Sequence, residues 1–425
     1  MTIYSVSDAY KTAIRARTRT DRVTGTLTLT NGTVLNLDAA DLMSGSLTLD
    51  NQCVTGEELA FGCAYLGQAA LNLRTDLSRH AFYGAKLVLH YGLQLPGGRW
   101  ETVPLGVYTV AEAERRALYV SIKAYDNILA LQQKYDGTTM QGTAYALLGQ
   151  IAASCGLTLG QTEAEIGALN PNAALVCQLS GADGLSTWRE CAAAVAQLVG
   201  GFAAADRAGR LVLRTFAEKP CAALTAAARS EAAVSDFACH YAALSIETDD
   251  GSFAAGRSQD TGLTMRISNM TLAEKGLPAT RQQITENLFA ALQRLDYVPA
   301  TVTMPGDPAF EPGDRVALPM EDGTAPEMLV THFVWRYRGR QTLKGVGRNP
   351  YLGGATEKAL RRLQNSAESK RIVYYSFTNP AELAVQTVET PAVAIAFTAV
   401  EETSAMFLAQ LLLDAAPDTG KVLTL

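Results

Sequence analysis

The stretch VPLGVYTVAEAERRALYVSIKAYD, residues 103–126, decides the fold class. It begins with an apolar strand at 106–110, continues through a charged turn at 112–116, and returns at 117–124 before Tyr125-Asp126-Asn127. Runs rich in Val, Tyr and Ile on either side of a polar turn are typical of a β-hairpin. The stretch therefore predicts a long hairpin, and the sequence upstream of it repeats the same kind of pattern.

Before this hairpin, the chain predicts a short helix and a series of short strands. Ser7 followed by Asp8 favours a helix start, and Asn31-Gly32 is a strong signal for a tight hairpin turn. The predicted strands are 23–29, 34–37, 46–49, 69–73, 86–92 and 100–103. Many short strands at a spacing of about ten residues, with glycine-rich turns between them, indicate a β-barrel or sandwich.

The period of the apolar residues becomes helical after Thr143. Leu147, Leu148 and Ile151 begin one apolar stripe, and Gly156 follows as a stop signal. Thr187 and Glu190 form a capping box at the start of a second helix, which Gly200-Gly201 ends. A hairpin at 202–216 follows directly. These elements predict a small α+β unit.

Strand-like sequence resumes near Val234 and continues to Val346, interrupted by one helix with Thr280 and Gln283 as its predicted capping box. The hairpin at 327–347 has the same shape as 105–126, an apolar strand, a charged turn and a return strand. This similarity favours two barrels of related design, and the alternative is that the two hairpins are unrelated.

The predicted class is therefore α+β and mainly β, with two tube-like β-barrels, an inserted small α+β domain and a C-terminal β-rich segment. The predicted divisions are 1–135 for the N-terminal helix and first barrel, 136–222 for the α+β domain, 223–350 for the second barrel with one helix, 351–371 for a linker helix, and 372–425 for the β-rich segment. This last segment ends within a strand-like pattern, so we expect it to be a piece of a longer chain.

Composition narrows the class of protein. The 425 residues are 48% hydrophobic and 18% charged, a profile unlike that of disordered chains. The formal net charge of −6 argues against a general polyanion-binding protein. The start of the chain lacks an apolar signal segment, and no apolar run is long enough for a membrane span, so synthesis in a cytosol without membrane insertion is expected. Seven cysteines without a C-x-x-C pair predict reduced thiols.

The sequence predicts no catalytic, cofactor-binding or metal-binding residues. The four histidines are far apart, and the motifs of zincins, α/β-hydrolases, P-loop proteins and dinucleotide-binding proteins are all missing from the sequence. Cys191 and His332 are better explained as structural residues than as a nucleophile or a ligand. The three tryptophans, Trp100, Trp188 and Trp335, occupy core-like positions in the pattern. A structural or binding protein without enzymatic activity is the favoured class.

Several motifs, taken in their order and spacing, resemble the N-terminal part of phage tail hub proteins. The motifs are residues 5–15, 62–65, 103–110, the return strand ending Ala124-Tyr125-Asp126, Gly200-Gly201-Phe202, and 206–216. Residues 306–316 resemble the third domain of the same hubs and of type VI spike proteins. The family-signature residues, for which a structural role is expected, are Gly106, Tyr108, Ala124, Tyr125, Asp126, Gly200, Gly201, Gly306, Asp307, Pro308, Gly313 and Asp314.

The resemblance covers roughly residues 1–350 and implies a structural hub of a phage tail tip or baseplate. It implies a homotrimer whose two barrels per chain give pseudo-sixfold symmetry for docking to a hexameric tail tube. The implied partners are tail-tube, distal tail or baseplate, and tape-measure proteins, with DNA only in transit and a host cell surface as a candidate partner of 372–425. The implied location is the tail of a virion, a prophage or a phage-like particle, after synthesis in a bacterial cytoplasm without a signal peptide.

Two alternatives from other classes stay open at this stage. One is a tail-associated peptidoglycan hydrolase or peptidase whose catalytic part lies outside this chain. The other is a carbohydrate-binding adhesin, which would need an exposed aromatic platform.

Overall fold

The computed structural model of the chain describes residues 4–248, 251–257, 262–268, 270–274 and 278–350. The predicted linker helix at 351–371 and the predicted β-rich segment at 372–425 lie outside these residues. The elements of the first part of the chain, in order, are α1 (Asp8–Ala13), β1 (Asp21–Thr28), β2 (Val34–Asp38), β3 (Thr48–Gln52), β4 (Cys63–Ala64), β5 (Gln68–Leu73), β6 (Lys86–Gln94), β7 (Trp100–Arg115), β8 (Val120–Asp126) and β9 (Met140–Gly142).

The remaining elements follow the same mixed pattern. They are α2 (Ala144–Ser154), α3 (Glu163–Gly167), β10 (Cys177–Leu179), α4 (Trp188–Leu198), β11 (Gly201–Ala205), β12 (Leu211–Thr215), β13 (Ala222–Ala223), β14 (Glu231–Val234), β15 (Tyr241–Thr248), β16 (Gly251–Gly256), β17 (Leu263–Ser268), α5 (Thr271–Glu274), α6 (Pro278–Leu292), β18 (Ala300–Pro305), β19 (Arg315–Ala317), β20 (Glu327–Leu329), β21 (His332–Arg336) and β22 (Arg340–Gly345). The predicted class, α+β and mainly β, is confirmed.

Local sequence signals explain where several elements begin. The Ser7 hydroxyl accepts a hydrogen bond from the backbone N–H of Tyr10 at 3.1 Å and starts α1. Thr187 and Glu190 form the predicted capping box of α4. The capping box predicted at Thr280 is wrong, because α6 begins at Pro278 and Thr280 lies inside its first turn. Proline is favoured at such a first position, since its missing N–H has no partner there in any helix.

The largest sheet has eleven strands in the order β14-β18-β22-β21-β3-β5-β8-β7-β6-β1-β2. Strands from both predicted barrels therefore belong to one sheet, and the antiparallel pair of β21 with β3 joins them, with His332 opposite Gln52 and Arg336 opposite Thr48. Within the described chain, this sheet ends at β2 on one side and at β14 on the other.

Two of the predicted strand patterns are rearranged in the structure. The predicted strands 100–103 and 106–110 are one strand, β7, with a bulge where Gly106 and Pro104 oppose Leu89 and His90. Proline lacks an N–H for the ladder, so a bulge accommodates it. The strand predicted over 327–337 is two strands in different sheets, because β20 pairs with β19 while β21 pairs with β22 and β3.

The large sheet folds back so that β6 packs against β21. The rings of Tyr91 and Trp335 meet edge to face with centroids 5.8 Å apart, and both side chains are buried. One hydrophobic core lies under this sheet and includes residues from both predicted barrels. A second core combines α2, α4 and β11 with β15 and α6. The domain boundaries 1–135, 136–222 and 223–350 stay predictions.

Three smaller sheets complete the fold: β12-β11-β4, β13-β19-β20 and β16-β15-β17. In the first, β11 pairs in parallel with β4, which attaches the hairpin of β11 and β12 to the N-terminal part of the chain. In the second, β13 pairs in parallel with β19. Among the helices that the structure describes, none is long and apolar enough to cross a bilayer.

Candidate functional site at the Arg207 junction

Three segments that the sequence analysis singled out separately meet at one place. They are the 105–108 part of β7, the turn between β11 and β12 at 206–209, and the loop at 306–314 before β19. A cavity of about 60 Å³ lies between them, and its lining includes Tyr108, Asp126, Arg207 and Glu311. We call this region the Arg207 junction: the side chains of Arg207, Arg214 and Glu311, with the backbone of Pro104, Pro308 and Ala309.

Arg207 connects all three segments with its guanidinium group. Its Nε donates to Glu311 Oε1 at 2.7 Å, its Nη1 to the carbonyl of Pro104 at 2.7 Å, and its Nη2 to the carbonyl of Pro308 at 2.8 Å. The aromatic ring of Tyr4 lies 4.6 Å from the guanidinium carbon. Only arginine has the planar, forked set of donors that this arrangement uses, so a lysine could not replace it.

Glu311 holds two arginines at once. Its Oε1 accepts from Arg207, and its Oε2 lies 2.6 Å from Nη1 of Arg214, which projects from β12. Burial acts to raise the pKa of Glu311, but the charges of Arg214 and Arg207 outweigh it and hold the pKa at about 2. The carboxylate is therefore charged at every physiological pH, and the three side chains form a permanent ionic cluster.

The turn between β11 and β12 approaches the first part of the chain closely at Gly209. Asn127 Nδ2 donates to the Gly209 carbonyl at 2.6 Å. Gly209 has φ +78°, and a Cβ atom there would lie 2.5 Å from Asn127 Nδ2 and 3.0 Å from Val107 Cβ. Glycine is required here for both the backbone conformation and the space.

Gly106 and Tyr108 form a second close contact in the same region. The Tyr108 hydroxyl donates to the carbonyl of Leu105 at 2.8 Å. Gly106 has φ +135°, and a Cβ atom there would lie 2.8 Å from that hydroxyl oxygen. The tyrosine ring therefore occupies the space that the glycine leaves, next to the carbonyl of Pro104 that Arg207 uses.

Asp126 is a buried carboxyl group that fixes two backbone segments. Its Oδ2 accepts from the N–H of Gly67 and its Oδ1 from the N–H of Ile128, both at 3.0 Å. Burial raises the pKa of Asp126 to about 7, although both hydrogen bonds act to lower it. Asp126 thus differs from Glu311 because no arginine neutralises it.

The signature residues 306–308 connect this region to the large sheet. Asp307 Oδ1 accepts from the N–H of Ala309 at 3.1 Å and from the Tyr10 hydroxyl at 3.4 Å, and burial raises its pKa. A Cβ atom on Gly306 would lie 2.8 Å from Trp335 Nε1. Pro308 contributes its carbonyl to Arg207.

Gly313 and Asp314 form the turn into β19. Gly313 has φ +91°, and its N–H donates to the carbonyl of Val330 at 2.7 Å. Asp314 Oδ2 accepts from the N–H of Glu311 at 2.9 Å, while its buried Oδ1 has no hydrogen-bond partner. Burial raises the pKa of Asp314 to about 6, although Arg214 acts to lower it.

Four signature residues are placed elsewhere. Ala124 is buried in β8 opposite Ala69, and the hydroxyl of its neighbour Tyr125 donates to Glu112 at 3.4 Å on the outer surface. Gly200 and Gly201 connect α4 to β11, where a Cβ atom on Gly201 would lie 2.0 Å from the Arg214 carbonyl oxygen. Ala124, Gly200 and Gly201 thus contribute to packing, and none of the four residues belongs to the ionic cluster of Arg207, Arg214 and Glu311.

The charged residues that hold the junction together were not predicted from the sequence. Arg207, Arg214 and Glu311 all lie inside the quoted motifs, but charged residues near glycine turns usually face solvent. The only sequence signal was their position inside motifs that are otherwise rich in glycine and aspartate. Pairing across about a hundred residues is not visible in local patterns.

Ion pairs and hydrogen bonds hold the junction together. It contains fixed ion pairs and hydrogen bonds to backbone carbonyls, with no thiol or histidine in its lining. In the part of the chain that the structure describes, no three His, Cys, Asp or Glu side chains are grouped to hold a metal ion. Burial raises the pKa of the Cys63, Cys191 and Cys239 thiols to about 11 or 12, so these thiols are protonated at neutral pH.

Comparison with known proteins gives neighbours by structure only. No family model and no curated protein matches the sequence. The 43 kDa tail protein of prophage MuSo2 from Shewanella oneidensis is similar at 14% identity and a TM-score of 0.48, covering 77% of this chain and 98% of that one. In fold, the chain is similar to this prophage tail protein.

Two further solved structures are similar to this chain at lower TM-scores. A chain of the Francisella PdpA-VgrG complex is similar at 9% identity and a TM-score of 0.44, covering 79% of this chain and 60% of that one. A chain of the virion of a native gene transfer agent particle is similar at 16% identity and a TM-score of 0.21 over 31% of this chain.

Proposed function

We propose that this chain is a structural hub subunit of a phage tail tip or baseplate, without enzymatic activity, and that three copies form a ring. The observation that carries the proposal is the eleven-stranded sheet, which ends within the described chain at two free edges, β2 and β14. In a ring, β2 of one copy pairs with β14 of the next, so every edge finds a partner.

The composition of the two edge strands supports this pairing. Soluble proteins usually protect free edges with lysine, proline or a bulge. β2 has the sequence VLNLD and β14 has the sequence EAAV, so each has one acidic residue at its end and neither contains lysine or proline. Val34, the first residue of β2, is 55% exposed, so this edge presents an apolar side chain beside its unpaired backbone groups. Both edges are therefore open to another strand.

The arrangement of hairpins supports a match to a hexameric tube. The hairpin of β7 and β8 and the hairpin of β21 and β22 lie in the same sheet, on either side of β3 and β5. Each copy thus contributes two similar hairpins, and three copies contribute six. The two tube-like barrels, the pseudo-sixfold symmetry and the docking to a tail tube belong to the proposal.

The Arg207 junction has a clear role in such a ring. It connects the α+β part to the sheet through direct charge-assisted hydrogen bonds. In the proposed assembly a hub subunit contacts neighbouring rings, and the junction keeps the two parts of the subunit in a fixed arrangement. Location in the virion tail, contacts with distal tail and tape-measure proteins, passage of DNA, and a host-surface role for 372–425 complete the proposal.

The mass of the protein in solution tests the proposal. We expect light scattering to give the mass of three chains, or of one chain that trimerises on addition of tail-tube protein. The double variant Val34→Glu/Asn36→Glu should reduce assembly, because both positions are exposed on β2 and the new charges would lie on an edge that pairs with β14, which already carries Glu231. The control Leu118→Glu changes a 78% exposed residue at the tip of the β7–β8 hairpin and should assemble normally. A stable dimer without affinity for tail-tube protein would overturn the proposal.

A further inference from the structure

Three neighbouring segments carry eight arginines in a chain whose net charge is −6. The segments lie next to one another because Arg22 stacks on Trp100 and Asp21 pairs with Arg338. We call the surface that these segments form the arginine face. Its members are Arg15, Arg17 and Arg19 between α1 and β1, Arg22 in β1, Arg99 before β7, and Arg336, Arg338 and Arg340 around the turn between β21 and β22. All of them are exposed except Arg19, which is half-buried.

Asp21 brings these segments together. Its Oδ1 lies 3.3 Å from Nε of Arg338, and its Oδ2 lies 3.8 Å from Nε of Arg19. The Tyr91 hydroxyl also donates to Asp21 Oδ2 at 3.3 Å. The nearby carboxylate of Glu101 is already engaged at the start of α1, where it accepts from the backbone N–H of Ser7 at 2.8 Å.

Most of the other guanidinium groups of this face are unpaired. Arg15, Arg17, Arg99, Arg336 and Arg340 form no ion pair with any residue that the structure describes. If the eight arginines of the arginine face and Asp21 are left out, the formal net charge of the rest of the chain is more negative than −6. The face is therefore a local concentration of positive charge, opposite in sign to the chain that presents it.

Two of these arginines are held in place by aromatic rings. The guanidinium carbon of Arg22 lies 4.1 Å from the ring centre of Trp100, and that of Arg338 lies 5.1 Å from the ring centre of Tyr337. Trp100, expected in the core, is thus only half-buried and lies beneath Arg22. Stacking fixes the plane of a guanidinium group and leaves its N–H edge free for a partner.

The backbone supports the same placement. Gly92 lies between Arg22 and Trp100, where a Cβ atom would be 3.2 Å from Arg22 Cγ and 3.3 Å from Trp100 Cε3. Arg338 has φ +52°, and among the residues that the structure describes it alone has a positive φ without being glycine. A positive φ is unfavourable for arginine, so its presence at Arg338 favours a functional role for this side chain.

We infer that the arginine face is a docking surface for an acidic protein partner, which binds through carboxylate side chains. Asp21 demonstrates the fit within the chain itself, since its carboxylate lies between two of these arginines. The inference rests on the proposed ring: if β2 and β14 close the ring sideways, the turns that present these arginines are left to face the next component of the tail.

Nucleic acid is the less favoured partner for two reasons. The faces of Trp100 and Tyr337 are covered by the protein's own arginines, so they are not available for stacking on bases. The overall charge of −6 also repels a long polyanion at distances beyond the face itself. A short carboxylate-bearing segment carries fewer charges than a long duplex and is repelled less.

Fluorescence anisotropy with a labelled polyglutamate peptide tests the inference, with a DNA duplex of equal charge as the competing probe. We expect the full chain to bind polyglutamate more tightly than the duplex, with binding that weakens as salt increases. The variant Arg22→Gln/Arg338→Gln should weaken polyglutamate binding at least about tenfold. The control Arg115→Gln/Arg116→Gln removes two exposed arginines from the β7–β8 hairpin and should bind as the wild type does.

Three outcomes would overturn the inference: tighter binding to the duplex, equal losses in both variants, or no binding of polyglutamate at low salt. The mass of the Arg22→Gln/Arg338→Gln variant should stay that of the wild-type assembly. Failure of the chain to form a ring would therefore count against the proposed function alone, whereas normal ring formation without polyglutamate binding would count against the arginine face alone.

Discussion

Arg207 and Glu311 are separated by 104 positions in the chain, and Nε of the first donates to Oε1 of the second at 2.7 Å. Arg214 completes the cluster from the neighbouring strand. This contact joins two motifs whose relation the sequence analysis based only on order and spacing. It also explains why both motifs contain glycines, since the turns must bring charged groups together without steric conflict.

Glu311→Gln should destabilise the protein by about 3 kcal/mol, because it leaves two largely buried arginines without their countercharge. Urea unfolding measures the change. The control Glu218→Gln removes one partner of an exposed pair with Arg294 and should cost less than about 0.5 kcal/mol. Equal effects of the two variants would show that the junction adds nothing beyond a surface ion pair.

The stability of the wild type should depend on the titration of Asp126. Its pKa is raised from 3.8 to about 7 by burial, so the folded state holds a proton that the unfolded state releases. The contribution is fully present below pH 3.8 and is lost as the pH rises to about 7. The variant Asp126→Asn should remove this part of the slope. Unfolding free energies measured for both proteins across that range, and found to run parallel, would contradict the prediction.

Gly209→Ala should cost more than Gly98→Ala. Both glycines have positive φ, +78° and +85°, so both variants pay a similar backbone cost of about 1 kcal/mol. At Gly98 the nearest atom to a new Cβ is 3.9 Å away, whereas at Gly209 it is Asn127 Nδ2 at 2.5 Å. Thermal unfolding should therefore show a clearly larger decrease in Tm for Gly209→Ala, and equal decreases would show that the close approach is relaxed in solution.

Tyr91 and Trp335 should be energetically coupled across the folded-back sheet. A double-mutant cycle with Tyr91→Leu and Trp335→Leu should give an interaction energy of about 0.5–1.5 kcal/mol, typical of an edge-to-face pair. The control cycle replaces Trp335→Leu by Trp188→Leu, whose ring packs on Tyr135 in the other core. Coupling in the control cycle as large as in the first would mean that the energy does not come from ring contact.

The sequence by itself determined the local structure of this protein. Ser7, Thr187 and Glu190 satisfy free backbone N–H groups at helix starts, and Asn31-Gly32 supplies a turn that few other residues allow, so each signal acts over a few residues and is readable in one dimension. The apolar pattern of 103–126 likewise predicted the β7–β8 hairpin, although two bulges in β7 shift which of its side chains face the core.

Only the tertiary structure decided how these pieces combine. The pairing of β21 with β3, the Arg207–Glu311 contact and the stacking of Arg22 on Trp100 depend on which distant segments become neighbours. An arginine in the sequence is equally compatible with a solvated surface, a buried ion pair or a docking face. Its role is set by burial and by the charges around it, and these exist only after the chain has folded.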